Sequence, residues 1–355
     1  MVYFLFYYTK LRADFLFLFY FSSNSRYNKN MNKQLTLSYF NDELAQAQTS
    51  KKTFLEQIER IIPWGQWLKI IKPCYYKGER GNKPYDLELM LRIHILQNLY
   101  DLSDMRVMTE VIDSRAFSEF CGVDSSNQVP DGDTIGRFRN ILVKNGIQEK
   151  LFLQVVEILS SKGLVLKKGT IVDSTIIAAP SSTKNKEKKR DKDAHSVKKG
   201  NAWHFGYKAH IGVDSQTGLV HTVKTTSANV HDVAVMHELL TGEENLVYGD
   251  SGYLGANKRE NAVVKNKSGK KITYKINRRP SQIKKLSKRE QYQANKSEHK
   301  KSSVRAKVEH VFGVVKKLFG YRKTRYRGIE KQTQKLNMMF ALANLYLADR
   351  KHLPV

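Results

Sequence analysis

The segments GTIVDSTII (169–177) and NLVYGDSGY (245–253) decide the fold of this chain. In each segment a short apolar run ends at an aspartate, Asp173 in the first and Asp250 in the second. Short apolar runs with β-branched residues are typical of buried central strands. The sequence therefore predicts two strands that each carry a carboxylate at the tip.

A third acid, Glu309, lies in SVRAKVEHVFGVVKK (303–317), where apolar residues recur at helical spacing. Taken singly, each acid has an ordinary explanation, as a strand-end cap or a solvated helix residue. Carboxylate oxygens, however, are the hard ligands that Mg2+ prefers, and phosphoryl transfer on nucleic acid uses two such ions. The strand, strand, helix order thus predicts a two-metal site formed by Asp173, Asp250 and Glu309.

The predicted helix places two basic residues beside Glu309. At about 100° per residue, Arg305, Glu309 and Lys316 fall within roughly 40° of one another, just beyond one edge of the apolar face. Side chains at such an edge can reach a cleft. Arg305 and Glu309 also have the spacing of an ordinary i,i+4 ion pair, so the helical geometry alone leaves both interpretations open.

The order of elements after residue 166 indicates the fold class. The patterns predict strands at 169–177, 245–250 and 270–277, a hairpin at 204–230, helices at 232–240 and 256–266, and then the long helix. This is the order of an RNase H-like (retroviral integrase-like) α/β domain, a mixed sheet flanked by helices. In that fold the first strand lies beside the strand at 245–250, which brings Asp173 and Asp250 together.

Residues 40–165 are predicted to be helical instead. The patterns predict helices at 87–100 with Asp86 as N-cap, at 101–122 and at 151–163. We therefore expect an all-α N-terminal domain at 31–165, followed by the α/β catalytic domain at 166–350.

A helix-turn-helix-like DNA reader is one interpretation of VPDGDTIGRFRNILVKNG (129–146). Pro130, Asp131 and Gly132 predict a turn, after which Asp133 or Thr134 would cap a helix. On that helix, Arg137 and Arg139 point away from the apolar face. Most segments of this kind are merely packed helices, so the alternative is that the two arginines contact no DNA.

Residues 1–30 have a composition unlike the rest of the chain, rich in Phe, Tyr and Leu. The longest uncharged apolar run there, 15–21, is seven residues long, whereas a membrane span needs about 20. No small-residue cleavage site follows, as a signal peptide would require. We expect Met31 to be the natural start and the preceding residues to be translated upstream sequence.

A formal net charge of +27, from 61 Lys and Arg against 34 Asp and Glu, favours a polyanionic partner. A ribosomal or other basic housekeeping protein would share this charge. An anionic membrane is a weaker alternative, since the basic residues do not line one amphipathic helix. Cys74 and Cys121 are the only cysteines, and neither a disulfide scaffold nor a zinc ribbon is predicted.

Two basic tracts, 181–201 and 265–307, flank the predicted metal carboxylates. Charge runs are usually solvated loops, but this placement favours contact with a phosphate backbone, for instance through Lys188, Lys189 and Arg190. Trp203 and His204 follow the first tract. They could stack on or hydrogen-bond to an extruded base, and core packing at a strand start is the alternative.

The chain resembles bacterial DDE transposases of the fifth insertion-sequence family, within the wider group that includes the fourth. The resemblance runs from about Met31 to Arg350 and is carried by PYDLELMLRIHILQNLYDLSD, VDSTIIAAPSSTKNKEKKRD, KKGNAWHFGYKAHIGVD, GDSGY, RAKVEHVFGVVKK and LANLYLAD. It implies that Asp173, Asp250 and Glu309 are the DDE triad. Arg305 and Lys316 match the bases around the family's glutamate, whereas Ser302 stands where the relatives carry a tyrosine.

The resemblance also implies a function. The enzyme would bind terminal inverted repeats of its own element and hydrolyse the DNA at the element ends. It would then join the freed 3′-OH to target DNA, using two Mg2+ ions for which Mn2+ can substitute. The resemblance implies that Lys316 holds a phosphate and that Arg305 orients Glu309 or another phosphate. It also implies a homodimer in the synaptic complex. The expected location is the bacterial cytoplasm, at the nucleoid, with no membrane involved.

Two other functions remain open on the sequence alone. The first is a catalytically silent DNA-binding protein, a remnant or repressor that recognises terminal repeats. The second is an RNase H-like nuclease that cuts RNA–DNA hybrids or branched DNA without joining strands.

Overall fold

Helices form the N-terminal part of the chain. The computed structural model describes residues 47–76, 83–184 and 188–351. The predicted leader and the proposed start at Met31 lie outside these residues. Within the described residues, seven α-helices precede the sheet: α1 (Ser50–Ile61), α2 (Trp64–Ile71), α3 (Leu87–Leu99), α4 (Asp104–Asp113), α5 (Arg115–Cys121), α6 (Gly132–Lys144) and α7 (Ile147–Ser161). Short 3-10 turns occupy Lys72–Cys74 and Ser126–Gln128.

Helix caps explain where the predicted boundaries hold and where they fail. Asp86 caps α3 as predicted, accepting a hydrogen bond from the Leu89 backbone nitrogen at 3.1 Å. The single helix predicted at 101–122 is instead two, since the chain breaks at Ser114, which precedes α5 with an extended backbone. The second of them does end at the predicted Gly122, whose φ of +66° lies in the left-handed region that glycine tolerates best.

The predicted cap of α6 is wrong. Asp131 caps this helix, because its carboxylate accepts from the Thr134 backbone nitrogen at 2.7 Å, so the helix begins within the predicted turn. The connection between α5 and α6 runs from 122 to 131 and contains a 3-10 turn. It is longer than the short turn on which the helix-turn-helix interpretation was based.

A six-stranded mixed sheet follows the helices. Its strands are β1 (Gly169–Ala178), β2 (His195–Lys199), β3 (Ala202–Asp214), β4 (Val220–Ser227), β5 (Leu246–Gly249) and β6 (Thr273–Ile276). β3 pairs antiparallel with β1, β2 and β4, while β5 pairs parallel with both β1 and β6. The predicted strands and hairpin are confirmed; β2, within the first basic tract, was not predicted.

The predicted helix at 256–266 is wrong beyond its first residues. Only a 3-10 turn, Ala256–Lys258, forms there. The chain then folds back on itself, with the Ile272 nitrogen bonded to the Val264 oxygen at 2.9 Å and Gly269 at a φ of +77° in the turn. The helix predicted at 232–240 is short, α8 (Asp232–Val235), and continues as a 3-10 turn, Met236–Leu239.

Three further helices complete the described chain: α9 (Pro280–Ile283), α10 (Lys288–Gly313) and α11 (Ile329–Arg350). Ser287 and Glu290 form a capping box at the start of α10. A π-helical segment, Val314–Leu318, follows α10 directly. α11 is almost wholly buried and packs against α7 and β4.

The helices and the sheet share one hydrophobic core. The described residues from Phe54 onward form one compact unit. The boundary near residue 165 therefore stays a prediction. A search of the described residues for a helix long and apolar enough to cross a bilayer found none.

Candidate active site

Asp173 and Asp250 lie side by side in the sheet. The parallel pairing of β1 with β5 aligns Ile171 with Tyr248, two residues before each aspartate. Asp250 directly follows β5, as predicted, but the predicted position of Asp173 at a strand tip is wrong, because β1 continues to Ala178 through its pairing with β3. The predicted adjacency of these strands is confirmed.

Asp173 is buried beside other acids. The pKa of its carboxyl is raised to about 6, chiefly by burial; Arg305 and the Ser174 backbone nitrogen oppose this shift, and like-charge repulsion from Asp250 and Glu309 adds to it. Asp250 and Glu309 therefore both lie within electrostatic reach of Asp173. The side chain keeps 17% of its surface exposed, so the carboxylate is accessible from solvent.

Asp250 is held in place by the turn that follows it. Its Oδ1 atom accepts a hydrogen bond from the Gly252 backbone nitrogen at 2.8 Å and caps the 3-10 turn Ser251–Tyr253. The GDSGY sequence favours this turn because a glycine two residues after the aspartate leaves room: a Cβ at Gly252 would lie 2.9 Å from Asp250 Oδ1. The carboxylate thus has a fixed orientation at the strand end.

Glu309 lies on the exposed side of α10, and Arg305 does not pair with it. The Arg305 Nη2 atom lies 3.4 Å from Asp173 Oδ2, and its Nη1 atom donates to Asn277 Oδ1 at 3.3 Å. The i,i+4 ion pair considered from the sequence is therefore absent from the described structure. A basic side chain instead occupies the position beside Asp173 where a cation would bind.

Asn277 is a site residue that the sequence analysis missed. It directly follows β6, the third parallel strand, and so lies at the same sheet edge as the two aspartates. Its amide nitrogen donates to Glu298 Oε2 at 2.8 Å and to Ser302 Oγ at 3.3 Å, so Ser302 also belongs to this network. A polar residue at the end of a third predicted strand was the available signal.

The acids have the right chemistry for divalent cations, but they are not assembled as a finished cage. In the described part of the chain, no group of three or more His, Cys, Asp or Glu side chains is arranged to hold a metal ion. The buried Tyr253 hydroxyl near the aspartates has no hydrogen-bond partner within the described residues. Hard carboxylate oxygens, mutual repulsion and this unpaired hydroxyl fit a cation that displaces Arg305.

Comparison with known families identifies the catalytic part of the chain. The family described as Transposase DDE domain matches residues 166–345, half of the chain. The chain belongs to this family. A second family, described as Transposase domain (DUF772), matches residues 42–140. No solved structure matches the chain.

Membership makes this protein a DDE transposase, an enzyme of the polynucleotidyl transferase and endonuclease type. The DDE family implies an RNase H-like fold, and the mixed sheet with flanking helices fits it. Neither family description names a particular insertion-sequence family.

The transposase carries Lys316 within the π-helical segment, which the regular helix geometry could not predict. Its Nζ atom donates to the Ile176 carbonyl oxygen at 2.7 Å, three residues along β1 from Asp173. Burial lowers the pKa of Lys316, and the nearby cations Lys199 and Arg322 lower it further. π-helical turns occur often at functional sites.

Trp203 projects from β3 with 70% of its surface exposed, so the core-packing alternative is wrong for this residue. His204 is half-buried and pairs with Val197 of β2. In the first basic tract, Lys188 and Lys189 are exposed, and the exposed Arg190 lies 5.6 Å from the Phe205 ring centre. These side chains remain candidates for DNA contact.

The two arginines of α6 have different environments. Arg137 is exposed. Arg139 forms two hydrogen bonds with Asp104, at 2.9 and 3.2 Å, and its guanidinium lies 3.9 Å from the Tyr326 ring centre. Burial alone would raise the pKa of Asp104, but hydrogen bonds, above all from Arg139, lower it. This geometry favours a structural role for Arg139. Of the two arginines in α6, Arg137 is therefore the one kept as a candidate DNA contact.

Proposed function

We propose that the protein transposes its own insertion element by two-metal phosphoryl transfer. It would bind the terminal inverted repeats, hydrolyse the DNA at the element ends and direct the freed 3′-OH into target DNA. The observation that carries the proposal is the parallel β1–β5 pairing, which brings Asp173 and Asp250 side by side at the carboxyl end of β5. The electrostatic effect of Glu309 on the Asp173 carboxyl supports a role for this third acid.

Each residue has a proposed part in this chemistry. Asp173 and Asp250 would share the cations, and Glu309 would complete the second position. Bound Mg2+, or Mn2+ in its place, would activate the attacking oxygen and stabilise the leaving oxygen. Lys316 would hold a phosphate next to the scissile bond. Arg305 would leave Asp173 for a DNA phosphate, to which a guanidinium binds well.

The surrounding surface would hold the DNA. We propose that the helical part, residues 31–165, contacts the terminal repeat through Arg137, and that Lys188, Lys189 and Arg190 follow the phosphate backbone. Trp203 and His204 would contact an extruded base. Because two ends must be joined, a homodimer would form the synaptic complex. The proposed setting is the bacterial cytoplasm at the nucleoid, for a member of the fifth insertion-sequence family.

Nicking of a terminal-repeat duplex tests this proposal. The full chain is incubated with a duplex taken from the DNA that flanks its gene, with and without Mg2+. We expect metal-dependent nicking by the wild type, and none by Asp250→Ala, which should still bind the duplex in a mobility-shift assay. Binding without nicking by the wild type would favour a silent DNA-binding protein, and cleavage of hybrids without strand joining would favour a nuclease.

A further inference from the structure

Asp232 lies beside the proposed metal site but belongs to none of the motifs that defined it. It begins α8, on the loop that follows β4. A Cβ atom at Gly252 would lie 2.9 Å from Asp250 Oδ1 and 3.8 Å from Asp232 Oδ2. Both oxygens lie close to this one position, so Asp250 Oδ1 and Asp232 Oδ2 also lie close to each other, at most the sum of the two distances apart. One cation, or one cation and its water, spans such a gap.

One oxygen of Asp232 is held from β3. Its Oδ1 atom lies 3.0 Å from Lys208 Nζ, and the same ammonium donates to the Val230 oxygen at 2.7 Å. His210 Nδ1 lies 3.7 Å from Oδ1, but burial lowers the pKa of this histidine to about 4, so the ring is neutral at physiological pH. Lys208 thus forms an ion pair with Oδ1 without hydrogen-bond geometry, and Oδ2 is the oxygen that lies nearer Gly252.

Tyr253 provides a second, independent observation. Its hydroxyl is fully buried and has no hydrogen-bond partner within the described residues. Burial raises the pKa of this phenol, and Asp232, Asp173 and Asp250 raise it further, in that order. An orphaned buried hydroxyl is costly unless a ligand or water completes it. The three aspartates of the proposed site all act electrostatically on this hydroxyl, Asp232 most strongly.

We propose that Asp232 is a fourth carboxylate of the catalytic centre, binding through Oδ2 the divalent cation that Asp250 holds. The inference rests on the proposed two-metal function and deepens it. Lys208 serves as the positioning residue, because its ion pair with Oδ1 sets the direction of Oδ2. The competing explanation is that Asp232 merely neutralises the buried Lys208, which is only 8% exposed.

Metal binding without DNA separates these explanations. Mn2+ affinity is measured by calorimetry on the full chain for the wild type, Asp232→Asn, Lys208→Met and Asp250→Asn. Glu238→Gln is the matched control, since this exposed acid lies close by in sequence and its loss removes the same charge. We expect Asp232→Asn and Asp250→Asn each to weaken Mn2+ binding by about tenfold or more. Glu238→Gln should change it by less than about twofold.

Lys208→Met keeps the carboxylate but loses the ion pair that sets its direction, so it should weaken Mn2+ binding, by less than Asp232→Asn does. If Asp232→Asn does not fold, the double variant Lys208→Met with Asp232→Asn removes both buried charges. This double variant should also bind Mn2+ more weakly than the wild type. Wild-type Mn2+ affinity in a folded Asp232→Asn or double variant would overturn the inference. Wild-type affinity in Asp250→Asn as well would instead overturn the proposed metal centre itself.

Discussion

At the scale of single residues, Arg305 links the structure of the site to its proposed chemistry. Its guanidinium lies 3.4 Å from Asp173 and takes the position of a cation. Removing it should strengthen metal binding and weaken catalysis, since the same side chain is proposed to contact a DNA phosphate.

For Arg305→Met we expect Mn2+ affinity without DNA to rise by about fivefold to tenfold, because a neighbouring positive charge is lost. Nicking should fall in the same variant. Calorimetry at pH 8, where Asp173 stays ionised, measures the affinity. Arg289→Met, which removes an exposed charge from the same helix, should leave Mn2+ affinity near wild type. Unchanged Mn2+ affinity in Arg305→Met would show that the arginine does not compete with the cation.

The raised pKa of Asp173, about 6, predicts a pH dependence of metal binding. Below this pH the carboxyl is mostly protonated and neutral, so a cation must displace a proton; above it the carboxylate is free. Mn2+ affinity should therefore fall as pH drops from 7 to 5, by up to about tenfold per pH unit below the pKa. Asp173→Asn should bind weakly throughout and lose this dependence. A flat wild-type profile across the same range would contradict the assignment.

The sequence allowed the acids to be predicted but not their partners. Asp173 and Asp250 follow apolar strand segments, which can be recognised locally, but the continuation of β1 past Asp173 to Ala178 depends on its pairing with β3. The Arg305–Asp173 pair depends on how α10 lies across the sheet, which no local pattern specifies. The position of Lys316 depends on the π-helical segment at 314–318, and regular helix geometry does not predict such a segment.

At the scale of elements, α6 offers a matched pair of arginines. Arg139→Ala should lower the free energy of unfolding by about 2 kcal/mol or more, because it leaves the half-buried Asp104 without its main partner. Arg137→Ala should change stability by less than about 0.5 kcal/mol. The second variant should instead weaken DNA binding and reduce the slope of its salt dependence by about one. Urea unfolding and salt-titrated mobility shifts measure the two properties; the opposite pattern would restore Arg139 as the DNA contact.

The close approach of β3 to β1 depends on Gly206. A Cβ atom there would lie 2.1 Å from the Ile177 carbonyl oxygen and 2.9 Å from the Ala179 nitrogen. Gly206→Ala should therefore destabilise the protein by about 1–3 kcal/mol and misplace Asp173 with its strand. Gly65→Ala is the control, since nothing lies within 4 Å of the added atom in α2. Equal stability of both variants in urea would show that the strands can separate at no cost.

Element prediction succeeded where burial and periodicity agree, as in β1, β5 and the hairpin. It failed at 256–266, where a helix-compatible composition lost to a turn stabilised by Asn266 and Gly269. The Asn266 side chain accepts from the Ser268 and Lys270 nitrogens at 3.1 and 2.9 Å. Such side-chain bonds compete with a helix and are hard to weigh from the sequence.

At the scale of the whole molecule, long-range ion pairs join the helical part to the end of the catalytic part. Lys335 of α11 is buried and lies 2.6 Å from Asp101, between α3 and α4. Arg139 of α6 stacks on Tyr326. These partners are far apart in sequence, so the sequence could predict two segments of different composition but not that they pack as one compact unit.

The net charge of +27 predicted a polyanionic partner, and membership in a transposase family agrees with DNA. Charge alone did not identify the contacting residues, because some cations are engaged within the protein. Arg139, Lys208 and Lys335 each pair with an aspartate. Only the fold separates such structural cations from those left exposed.

The most direct test of the central claim is the metal dependence of nicking by Asp250→Cys. A thiolate binds Mg2+ poorly and accepts softer metals such as Mn2+. If Asp250 holds the catalytic cation, this variant should fail to nick a terminal-repeat duplex in Mg2+ and recover activity in Mn2+, while the wild type is active in both. Wild-type nicking by Asp250→Cys in Mg2+ would show that this carboxylate does not bind the catalytic metal.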